Sequence, residues 1–508
     1  MMKFLNPLSF AVFAVFFLMP SCKKDKVEKE KEEEETPFMY SVETVPTPAS
    51  SDLEKLADSA YLFTREIYLW NDDATAKGTS LLKTMYAGFN PRQYVGGNGV
   101  ETAENVMWAT RGFFKNDVFS MALSRQESDG ISTGVTEDYG FFVKAAYDLS
   151  NNINWYVTYV YDQSDAGQKG VKRGWIINKI NDVPIAYNQA SVDALNDLFF
   201  GTGTSANVEF TKSDGAVETI TLNKTTFQAN SVLYYNVISS ATSGGKKVGY
   251  LVFNEFLGQP SRDELKVVFN YFQAQGIQEL VVDLRNNLGG STDTQDTLAN
   301  LIAPVAANGK KMYQYEFNKI LQEGKFSILK KKYNYSTNAF KLNNNTIPFE
   351  KAGTLNLSRV FFIVSYNSAS ASELLINNLK PVMDVQLIGD TTRGKPVGFF
   401  PIYLYNNKVA IYPVSFRTIN SAGNADYYKG FAPNILANDG VNLDWGNPND
   451  PCLSQALNYI NTGRYMTAEK SFMASAGKTQ ARSVSGTEYK KMGIEQLERK
   501  RPGMYIER

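Results

Sequence analysis

The spacing of hydrophobic residues changes along this chain, and the change divides it into regions of different predicted structure. After Ser51 and Glu54, which form a capping-box pattern, apolar residues recur at the spacing of one helix face as far as Trp70. A second stretch of helical spacing covers residues 103–114. The two stretches predict a small helical N-terminal domain, whose aromatic residues we assign to its core rather than to ligand contacts.

From Lys247 onward, short apolar runs alternate with longer amphipathic stretches. Residues 248–253 and 280–284 have the composition of buried strands, and residues 262–275 between them have helical spacing. This order of strand, helix and strand predicts an α/β core. Residues 306–350 are rich in Lys, Asn and Tyr, and we interpret them as an insertion or lid with no assigned chemistry.

The first residues have the features of a secretory signal. Lys3 precedes an apolar stretch at 8–19 that contains no charge and is too short to span a bilayer. Ser21 and Cys22 then resemble a bacterial lipoprotein cleavage site, at which Cys22 would become the lipidated first residue. The alternative is a plain signal peptide with an incidental cysteine. Residues 23–36 are dominated by Lys and Glu and predict a solvated tether, because such a run cannot offset its own ordering entropy.

The composition of the chain argues against several kinds of partner and cofactor. The 508 residues carry 52 basic and 52 acidic side chains, so no net charge attracts the chain to nucleic acid or to acidic membranes. With Cys22 lipidated, Cys452 would be the only other cysteine, so no internal disulfide is expected. Histidine is absent from the sequence, which leaves carboxylates as the main metal ligands. We therefore expect no metal and no cofactor.

The absence of histidine also sharpens the interpretation of Ser370 and Lys395. A serine hydroxyl needs a neighbouring base to become a good nucleophile, and here that base cannot be an imidazole. Lysine is the available substitute, provided that burial or nearby cations lower its pKa from about 10.4.

Ser370 lies where a nucleophile would be useful. The apolar run 359–364 predicts a buried strand, residues 365–368 a turn and residues 373–380 a helix. The N–H groups at the start of that helix would stabilise the oxyanion formed in acyl transfer. The alternative is that Ser370 only caps the helix.

Two motifs resemble those of one family. The run Ser-Ala-Ser-Glu at 370–373, with Gly-Lys following at 394–395, is similar to the motif of the carboxyl-terminal processing proteases, the S41 group of serine peptidases. The run Asp-Leu-Arg-Asn-Asn-Leu-Gly-Gly at 283–290 resembles a second hallmark of that family, a loop that leaves a core strand. By the order of its motifs, the resemblance spans roughly residues 115–460.

The resemblance implies a fold and a role for each residue of the site. The fold would be an α/β protease core of the ClpP/crotonase-like type. Ser370 would be the nucleophile and Lys395 its general base. The backbone N–H of Ala371, together with that of Gly289 or Gly290, would form the oxyanion hole.

The second motif can also be interpreted without the resemblance. Paired glycines after a buried strand let the main chain approach a substrate carbonyl with no side chain in the way. Asp283 and Arg285 at the end of that strand are more typical of paired structural charges than of direct chemistry.

One position departs from the family pattern. Many members carry a glutamine four residues after the lysine, where it is thought to position that lysine, and this chain has Phe399 there. Thr392, Tyr366 or Glu373 could take over the role, and the sequence does not distinguish among them.

A peptide-binding module is predicted before the catalytic stretch. It contains an apolar-Gly-apolar run whose backbone N–H groups can bind a peptide carboxylate while the strand edge pairs with the peptide. The residues of this run are Tyr139, Gly140, Phe141 and Phe142. The run 170–181 resembles the glycine turn, strand and Ile-Asn-Gly turn of PDZ domains, with Asp182 in place of the last glycine. Each fragment alone could be an ordinary hairpin, but their order before a protease-like core favours a PDZ-like domain.

These observations predict six regions. They are a lipoprotein signal peptide at 1–21, a flexible charged tether at 22–48, a helical N-terminal domain at 49–125, a β-rich PDZ-like peptide-binding domain at 126–228, an S41-like catalytic domain at 229–465 and a polar, mobile C-terminal tail at 466–508.

The sequence therefore predicts a lipid-anchored serine endopeptidase with a Ser370/Lys395 dyad, located in the cell envelope of a Gram-negative-type bacterium. Its partners would be unstructured or C-terminal regions of exported proteins, and not nucleic acid. One alternative is a catalytically weak or inactive peptide-binding lipoprotein of the same fold, whose activity the change to Phe399 has removed. Another is an acyl-CoA or crotonase-type enzyme on a related core, which would not need Ser370 and Lys395 together.

Overall fold

A computed structural model describes residues 47–73, 81, 89–148, 150–239, 243–466, 482–483 and 504–506. All of them lie in the second of two units into which the chain divides, Tyr40–Arg508. The predicted signal peptide, Cys22 and residues 22–46 of the predicted tether lie outside the described residues. Across the described ranges, no helix combines the length and the apolar character that a bilayer crossing requires.

Helices occur in every region of the described chain. In order, they are α1 Asp52–Ile67, α2 Gly99–Arg111, α3 Arg125–Thr133, α4 Asp165–Gln168, α5 Gln189–Phe200, α6 Gln259–Gln275, α7 Thr292–Ile302, α8 Lys319–Gln322, α9 Ile328–Tyr333, α10 Ala371–Leu379 and α11 Pro451–Thr462. Short 3-10 helices cover Pro91–Tyr94, Val305–Ala307 and Leu342–Asn345.

The strands begin after the second helix. In order, they are β1 Met121–Ser124, β2 Val135–Asp138, β3 Phe141–Tyr147, β4 Ile153–Val160, β5 Ile176–Ile180, β6 Val183–Pro184, β7 Ser205–Thr211, β8 Val217–Asn223, β9 Thr225–Gln228, β10 Val232–Ile238, β11 Val248–Phe253, β12 Glu279–Asp283, β13 Lys311–Phe317, β14 Thr346–Pro348, β15 Arg359–Val364, β16 Asp384–Gly389, β17 Val397–Gly398, β18 Ile402–Leu404, β19 Val409–Tyr412, β20 Phe416–Asn420, β21 Ile435–Leu436 and β22 Arg482–Ser483.

The predicted N-terminal helices are α1 and α2. The Ser51 side chain caps α1 by accepting the Glu54 N–H, which is the pair that the sequence indicated. Asn98 caps α2 in the same way. The two helices pack against each other, and β1 pairs antiparallel with β19. The helical region therefore shares a sheet with residues of the predicted catalytic domain.

A six-stranded sheet in the order β10, β11, β12, β15, β16, β21 forms an α/β core, as the sequence predicted. All neighbouring pairs are parallel except β10 with β11. Every residue of β11 and β12 is buried, because helices cover both faces of this sheet. Helix α11 packs on the face that carries Tyr250 and Val281. On the opposite face Gly249 leaves room for Phe272 of α6.

A second, strand-rich module lies earlier in the chain. Its sheet has the order β22, β3, β4, β5, β7, β8, with β6 on β5, and all of its pairs are antiparallel. Its apolar core includes Phe141, Trp155 and Phe210 from the sheet and Leu195 from α5. This is the β-rich region that the sequence indicated, and its assignment as a PDZ-like domain stays a prediction.

Two regions are more tightly packed than their composition suggested. Residues 306–350 contribute β13 and β14 to a sheet in the order β14, β13, β20, β17, and Tyr313 and Phe317 are buried there. In the region predicted as a polar, mobile tail, Met504 and Tyr505 are buried.

Candidate active site

Ser370 lies at the junction of β15 and α10, directly before the first residue of the helix. Its backbone has φ 61° and ψ −109°, a conformation that a residue with a side chain adopts only under tertiary constraint. The turn that leads to it is fastened to the neighbouring core strand, since Ser368 Oγ donates to the Leu284 carbonyl at 2.8 Å. The fold therefore imposes the unusual geometry at this serine.

One buried carboxylate joins the two halves of the predicted dyad. Glu373 accepts the backbone N–H of Ser370 at 2.9 Å and that of Lys395 at 2.8 Å. It also accepts the N–H of Gly394 at 2.7 Å and the hydroxyl of Thr392 at 2.6 Å. Burial raises the pKa of Glu373, while these four hydrogen bonds act in the opposite direction. Through this side chain the serine turn and the lysine loop are held at one point.

Lys395 is buried, and its amine lies against two aromatic rings. Its Nζ is 4.7 Å from the ring centroid of Phe399 and 4.9 Å from that of Phe119. Burial, reinforced by the positive charge of Arg393, lowers the pKa of Lys395 to about 7. The Lys395 amine is therefore neutral in a large fraction of the molecules near pH 7, and a general base must be neutral.

The paired glycines approach the nucleophile turn closely. A Cβ on Gly289, which has φ 101°, would lie 2.9 Å from the Ala371 nitrogen and from Ser370 Cβ. A Cβ on Gly290, with φ 142°, would lie 2.0 Å from the Phe256 carbonyl oxygen. Glycine is therefore required at both positions, because any side chain would collide with neighbouring backbone.

Asn287 organises this loop, although sequence reasoning assigned no individual role to it. Its Oδ1 accepts the Gly289 N–H and its Nδ2 donates to the Phe253 carbonyl, each at 2.9 Å. Its own carbonyl accepts the Ala369 N–H and the Ser372 hydroxyl, each at 3.1 Å. The available signal was its place two residues before the glycine pair. Asn287 ties the glycine loop to the serine turn.

Asp283 and Arg285 are both paired, as the sequence suggested. Arg285 Nη2 lies 2.6 Å from Asp283, and its Nη1 lies 2.9 Å from Asp450 and 3.0 Å from Asp439. All of these side chains are buried. Asp439 also pairs with Arg173, so the ion cluster links the strand-rich module to the core.

A segment from far along the chain reaches the nucleophile. The Met504 N–H donates to Ser370 Oγ at 2.5 Å, and the Met504 carbonyl accepts the Phe399 N–H at 3.1 Å. No feature of the sequence pointed to this contact, because it is made by backbone atoms.

The other predicted binding residues lie elsewhere. The structure brings together the residues predicted for catalysis and for the oxyanion hole, namely Ser370, Lys395, Ala371, Gly289 and Gly290. The predicted peptide-binding residues are at the start of β3 in the strand-rich module; they are Tyr139, Gly140, Phe141 and Phe142.

The glycine of that strand-rich run has backbone contacts of its own. Gly140 has φ 84°; its N–H donates to the Asp138 carboxylate and its carbonyl accepts the Tyr161 N–H at 2.7 Å. The Phe142 ring packs at a tilt of 45° against Phe199 of α5, with ring centroids 5.1 Å apart. Within the described part of the chain, no cluster of three or more His, Cys, Asp or Glu side chains could hold a metal ion.

Comparison with known proteins points to one family. Residues 247–437 match the model of Peptidase family S41. A "Probable CtpA-like serine protease" of Staphylococcus aureus is 26% identical over 283 residues, which are 55% of this chain and 49% of that protein. A protein of the same name from Staphylococcus saprophyticus is 23% identical over 282 residues, 56% of this chain and 50% of that protein. The chain thus matches about half the length of these curated relatives.

A solved structure agrees in fold. The "Putative S41 protease" of Bacteroides fragilis NCTC 9343 superimposes with a TM-score of 0.58 at 23% identity, covering 80% of this chain and 97% of that one.

Proposed function

We propose that this chain, whose residues 247–437 match the model of Peptidase family S41, is a serine endopeptidase in which Ser370 is the nucleophile and Lys395 the general base. One observation carries the proposal. Glu373 accepts the N–H groups of both residues, and burial lowers the pKa of the lysine to about 7. The backbones of Ser370 and Lys395 are thereby held together in one buried place. Nucleophilic catalysis without histidine requires a serine with a neutral amine as its base, and this arrangement supports that assignment.

The reaction would proceed in two stages. The neutral Lys395 amine takes the proton of Ser370 as its Oγ attacks the substrate carbonyl carbon, and the resulting ammonium returns that proton to the leaving amine as the peptide bond breaks. A water molecule then attacks the ester, with Lys395 again accepting a proton. The second product leaves as a carboxylic acid and Ser370 regains its hydrogen.

The oxyanion would be stabilised by backbone N–H groups. The Ala371 N–H is the first of helix α10, whose partial positive end favours a negative charge nearby. The Gly289 N–H already donates to Asn287, so we assign the second donor to Gly290. The Ser370 N–H is likewise used by Glu373 and is not available for this role.

Phe399 does not argue against activity. The alternative of an inactive binding protein was based on the missing glutamine, but a ring at this position lies beside Lys395 Nζ and bounds one side of its pocket. Lys395 is further fixed through its backbone by Glu373. Of the three residues that could replace the glutamine, Glu373 contacts Lys395 at its backbone N–H, and Thr392 donates its hydroxyl to Glu373.

The proposal also assigns a site for substrate recruitment. We assign it to the strand-rich module, which would take up the unstructured or C-terminal ends of exported proteins along β3 near Tyr139, Gly140, Phe141 and Phe142. The left-handed conformation of Gly140 directly before β3 supports this assignment, since β22 pairs only with Ala146 and Tyr147 at the other end of that strand. Anchoring in the cell envelope through Cys22 belongs to the same proposal and depends on the sequence pattern alone.

Active-site labelling tests the assignment of the nucleophile. A fluorophosphonate should modify the wild-type chain at Ser370, as mapped by peptide mass spectrometry, and should not modify Ser370→Ala. Ser372→Ala is the matched control, because that neighbouring hydroxyl donates to the Asn287 carbonyl and should not react. Labelling that survives Ser370→Ala, with the label at another serine, would refute the proposed nucleophile.

A further inference from the structure

Residues 504–506 lie beside the nucleophile, where Tyr505 forms an isolated parallel β-bridge on each side, to Ser291 and to Phe399. On one side, the Tyr505 N–H donates to the Gly290 carbonyl at 3.1 Å, and the Tyr505 carbonyl accepts the Thr292 N–H at 2.9 Å. This pairing involves the same glycine that we assign to the oxyanion hole. The segment therefore lies directly against the catalytic loop.

The opposite side of the segment is paired as well. The Phe399 N–H donates to the Met504 carbonyl at 3.1 Å, and the Phe399 carbonyl accepts the Ile506 N–H at 3.2 Å. Gly398 gives the segment room, since a Cβ there would lie 2.8 Å from the Met504 carbonyl oxygen. Backbone pairing on both edges is the way in which proteins bind an extended peptide by strand addition.

The side chains of the segment are accommodated too. Met504 is fully buried and Tyr505 is 5% exposed. The Tyr505 hydroxyl donates to the Ile131 carbonyl at 3.1 Å, so the end of the ring has a polar partner inside the groove. An apolar residue followed by an aromatic residue thus fits this groove.

The contact with Ser370 defines which side of the catalytic centre is occupied. The Met504 N–H donates to Ser370 Oγ, and this nitrogen belongs to the peptide bond between Gly503 and Met504. In a substrate, the nitrogen nearest the nucleophile is that of the bond to be cleaved, and it leaves with the amine fragment, which is the first product. Residues 504–506 therefore lie where the leaving fragment of a substrate would lie.

We propose that the segment Met504–Ile506 is an intramolecular inhibitor, which fills the leaving-group side of the substrate groove and must be displaced before a substrate can bind. The proposal rests on the proposed peptidase function of Ser370. It adds that the isolated chain is held in a low-activity state by its own residues.

Proline at position 505 tests the inhibition in the full chain. Tyr505→Pro removes the N–H that pairs with Gly290 and fixes φ near −65°, so the segment should leave the groove. We expect the rate of fluorophosphonate labelling at Ser370 and the kcat/KM for an unfolded reporter to rise at least about tenfold, which corresponds to about 1.4 kcal/mol. Tyr505→Phe keeps both backbone pairs and should give a smaller increase.

Ile506→Pro is the second variant, because it removes the separate pairing with Phe399. Melting curves of all three variants identify any that fail to fold. Wild-type rates of labelling and cleavage in both folded proline variants would overturn the inhibition.

Peptide binding provides a readout that does not depend on catalysis. The acetylated, fluorescent pentapeptide Met-Tyr-Ile-Glu-Arg, which has the sequence of residues 504–508, should bind the Tyr505→Pro chain and not the wild type, as measured by anisotropy. The same peptide with an N-methyl group on its tyrosine nitrogen lacks the N–H for Gly290 and should bind neither.

The outcomes separate the two proposals. If the unmethylated peptide binds only the proline variant while no chain is labelled or cleaves, the segment occupies the groove but the peptidase assignment fails. If the chains are active but the peptide binds none of them and the proline variant is not accelerated, the peptidase assignment stands and the inhibitor is refuted.

Discussion

The Nζ of Lys395 lies 4.7 Å from the ring centroid of Phe399, at the position where the resemblance to S41 peptidases implied a glutamine. An aromatic face attracts a cation through its quadrupole, so the ring favours the ammonium form, whereas burial favours the neutral amine. Burial is the larger influence, because the pKa of Lys395 falls to about 7. The ring therefore adjusts the pKa of the proposed base instead of orienting it through a hydrogen bond.

Removing this ring should change the pH dependence of activity. Phe399→Leu eliminates an interaction that favours the ammonium, worth about 0.5–2 kcal/mol, so the pKa of Lys395 should fall further. The rising limb of kcat/KM should move to lower pH in a series of initial-rate measurements. Phe119→Leu, which removes the other ring, is the matched control and should move the limb in the same direction. A shift to higher pH in both variants would contradict this account of the site.

For the wild-type enzyme, kcat/KM should rise with pH along a single limb, and the free energy of unfolding should depend on pH through the same lysine. Since Lys395 acts as the neutral amine, kcat/KM should rise with pH around a midpoint of about 7. Its pKa in the unfolded chain is the ordinary value of 10.5, so between pH 7 and 10.5 the unfolded state binds more protons. The free energy of unfolding should therefore increase with pH across this window.

Lys395→Met isolates that contribution. Lys144 also has its pKa lowered to about 7 by burial, so the wild-type slope alone would not identify its source. Urea unfolding at pH 7 and pH 9 should give a smaller increase in stability for Lys395→Met than for the wild type. Identical increases would mean that the Lys395 amine is not desolvated in the folded protein.

Much of the core could be predicted from the sequence, for a simple reason. Strands β11 and β12 are central and covered on both faces, so they appear as continuous apolar runs, and the predicted limits agree with the structure to within one residue. The strand, turn and helix around Ser370 were equally evident, because β15 has the same character and serines and an asparagine mark the turn.

The rest depends on contacts that leave no local pattern. Strand β13 places Tyr313, Tyr315 and Phe317 on a buried face, but its Lys-rich and Asn-rich surroundings suggested a loose insertion. Phe119 reaches Lys395 from the N-terminal region. Residues 504–506 bind through backbone atoms, for which side-chain identity gives little signal. Each of these requires the tertiary arrangement to be known.

Glu373 should act as a positioning residue. Glu373→Gln keeps the shape but replaces one acceptor oxygen by an NH2 group, which would face an N–H donor of Ser370, Gly394 or Lys395. Charge-assisted hydrogen bonds contribute about 1.5–3 kcal/mol each, so the free energy of unfolding should fall by at least about 2 kcal/mol.

The role in positioning has a kinetic signature. The kcat of Glu373→Gln should fall at least about a hundredfold, and the pH limb set by Lys395 should move, because both dyad segments lose their common anchor. Thr392→Val removes one of the four hydrogen bonds and serves as the graded control. A variant that is destabilised but keeps its kcat and its pH profile would show that Glu373 is structural only.

Ser370 and Lys395 should behave as one catalytic unit. Ser370→Ala, Lys395→Ala and the double variant should lower kcat by about the same factor, because removing either member abolishes the same step. Lys395→Arg should be as damaging as alanine, since its guanidinium stays protonated at every accessible pH. Single-turnover rates with circular dichroism as a folding control provide the test. If the losses in kcat are additive in the double variant, or if the arginine variant turns over substrate, Lys395 is not the general base.

Recognition of a substrate carboxylate is tested by a change in the peptide rather than in Gly140. A Cβ on Gly140 would lie 1.8 Å from Ser164 Cβ, so any substitution there would disturb the strand-rich module itself. Two peptides of one sequence, with a free-acid or an amidated C-terminus, avoid this difficulty. The amide loses charge-assisted hydrogen bonds worth about 1.5–3 kcal/mol, so its KM should be at least about tenfold higher with kcat unchanged.

Asp138 provides a variant that strengthens the comparison. Its carboxylate accepts the Gly140 N–H, so a substrate carboxylate would have to displace it from that donor, and it places a negative charge beside the proposed carboxylate site. Asp138→Asn keeps an acceptor oxygen for that N–H but removes the charge, so the KM of the free-acid peptide should fall while that of the amide should hardly change. The ratio of the two KM values should therefore increase in the variant. Equal KM values for acid and amide in both chains would show that the run 139–142 does not bind C-termini, and substrate selection would then depend on the groove beside Ser370 alone.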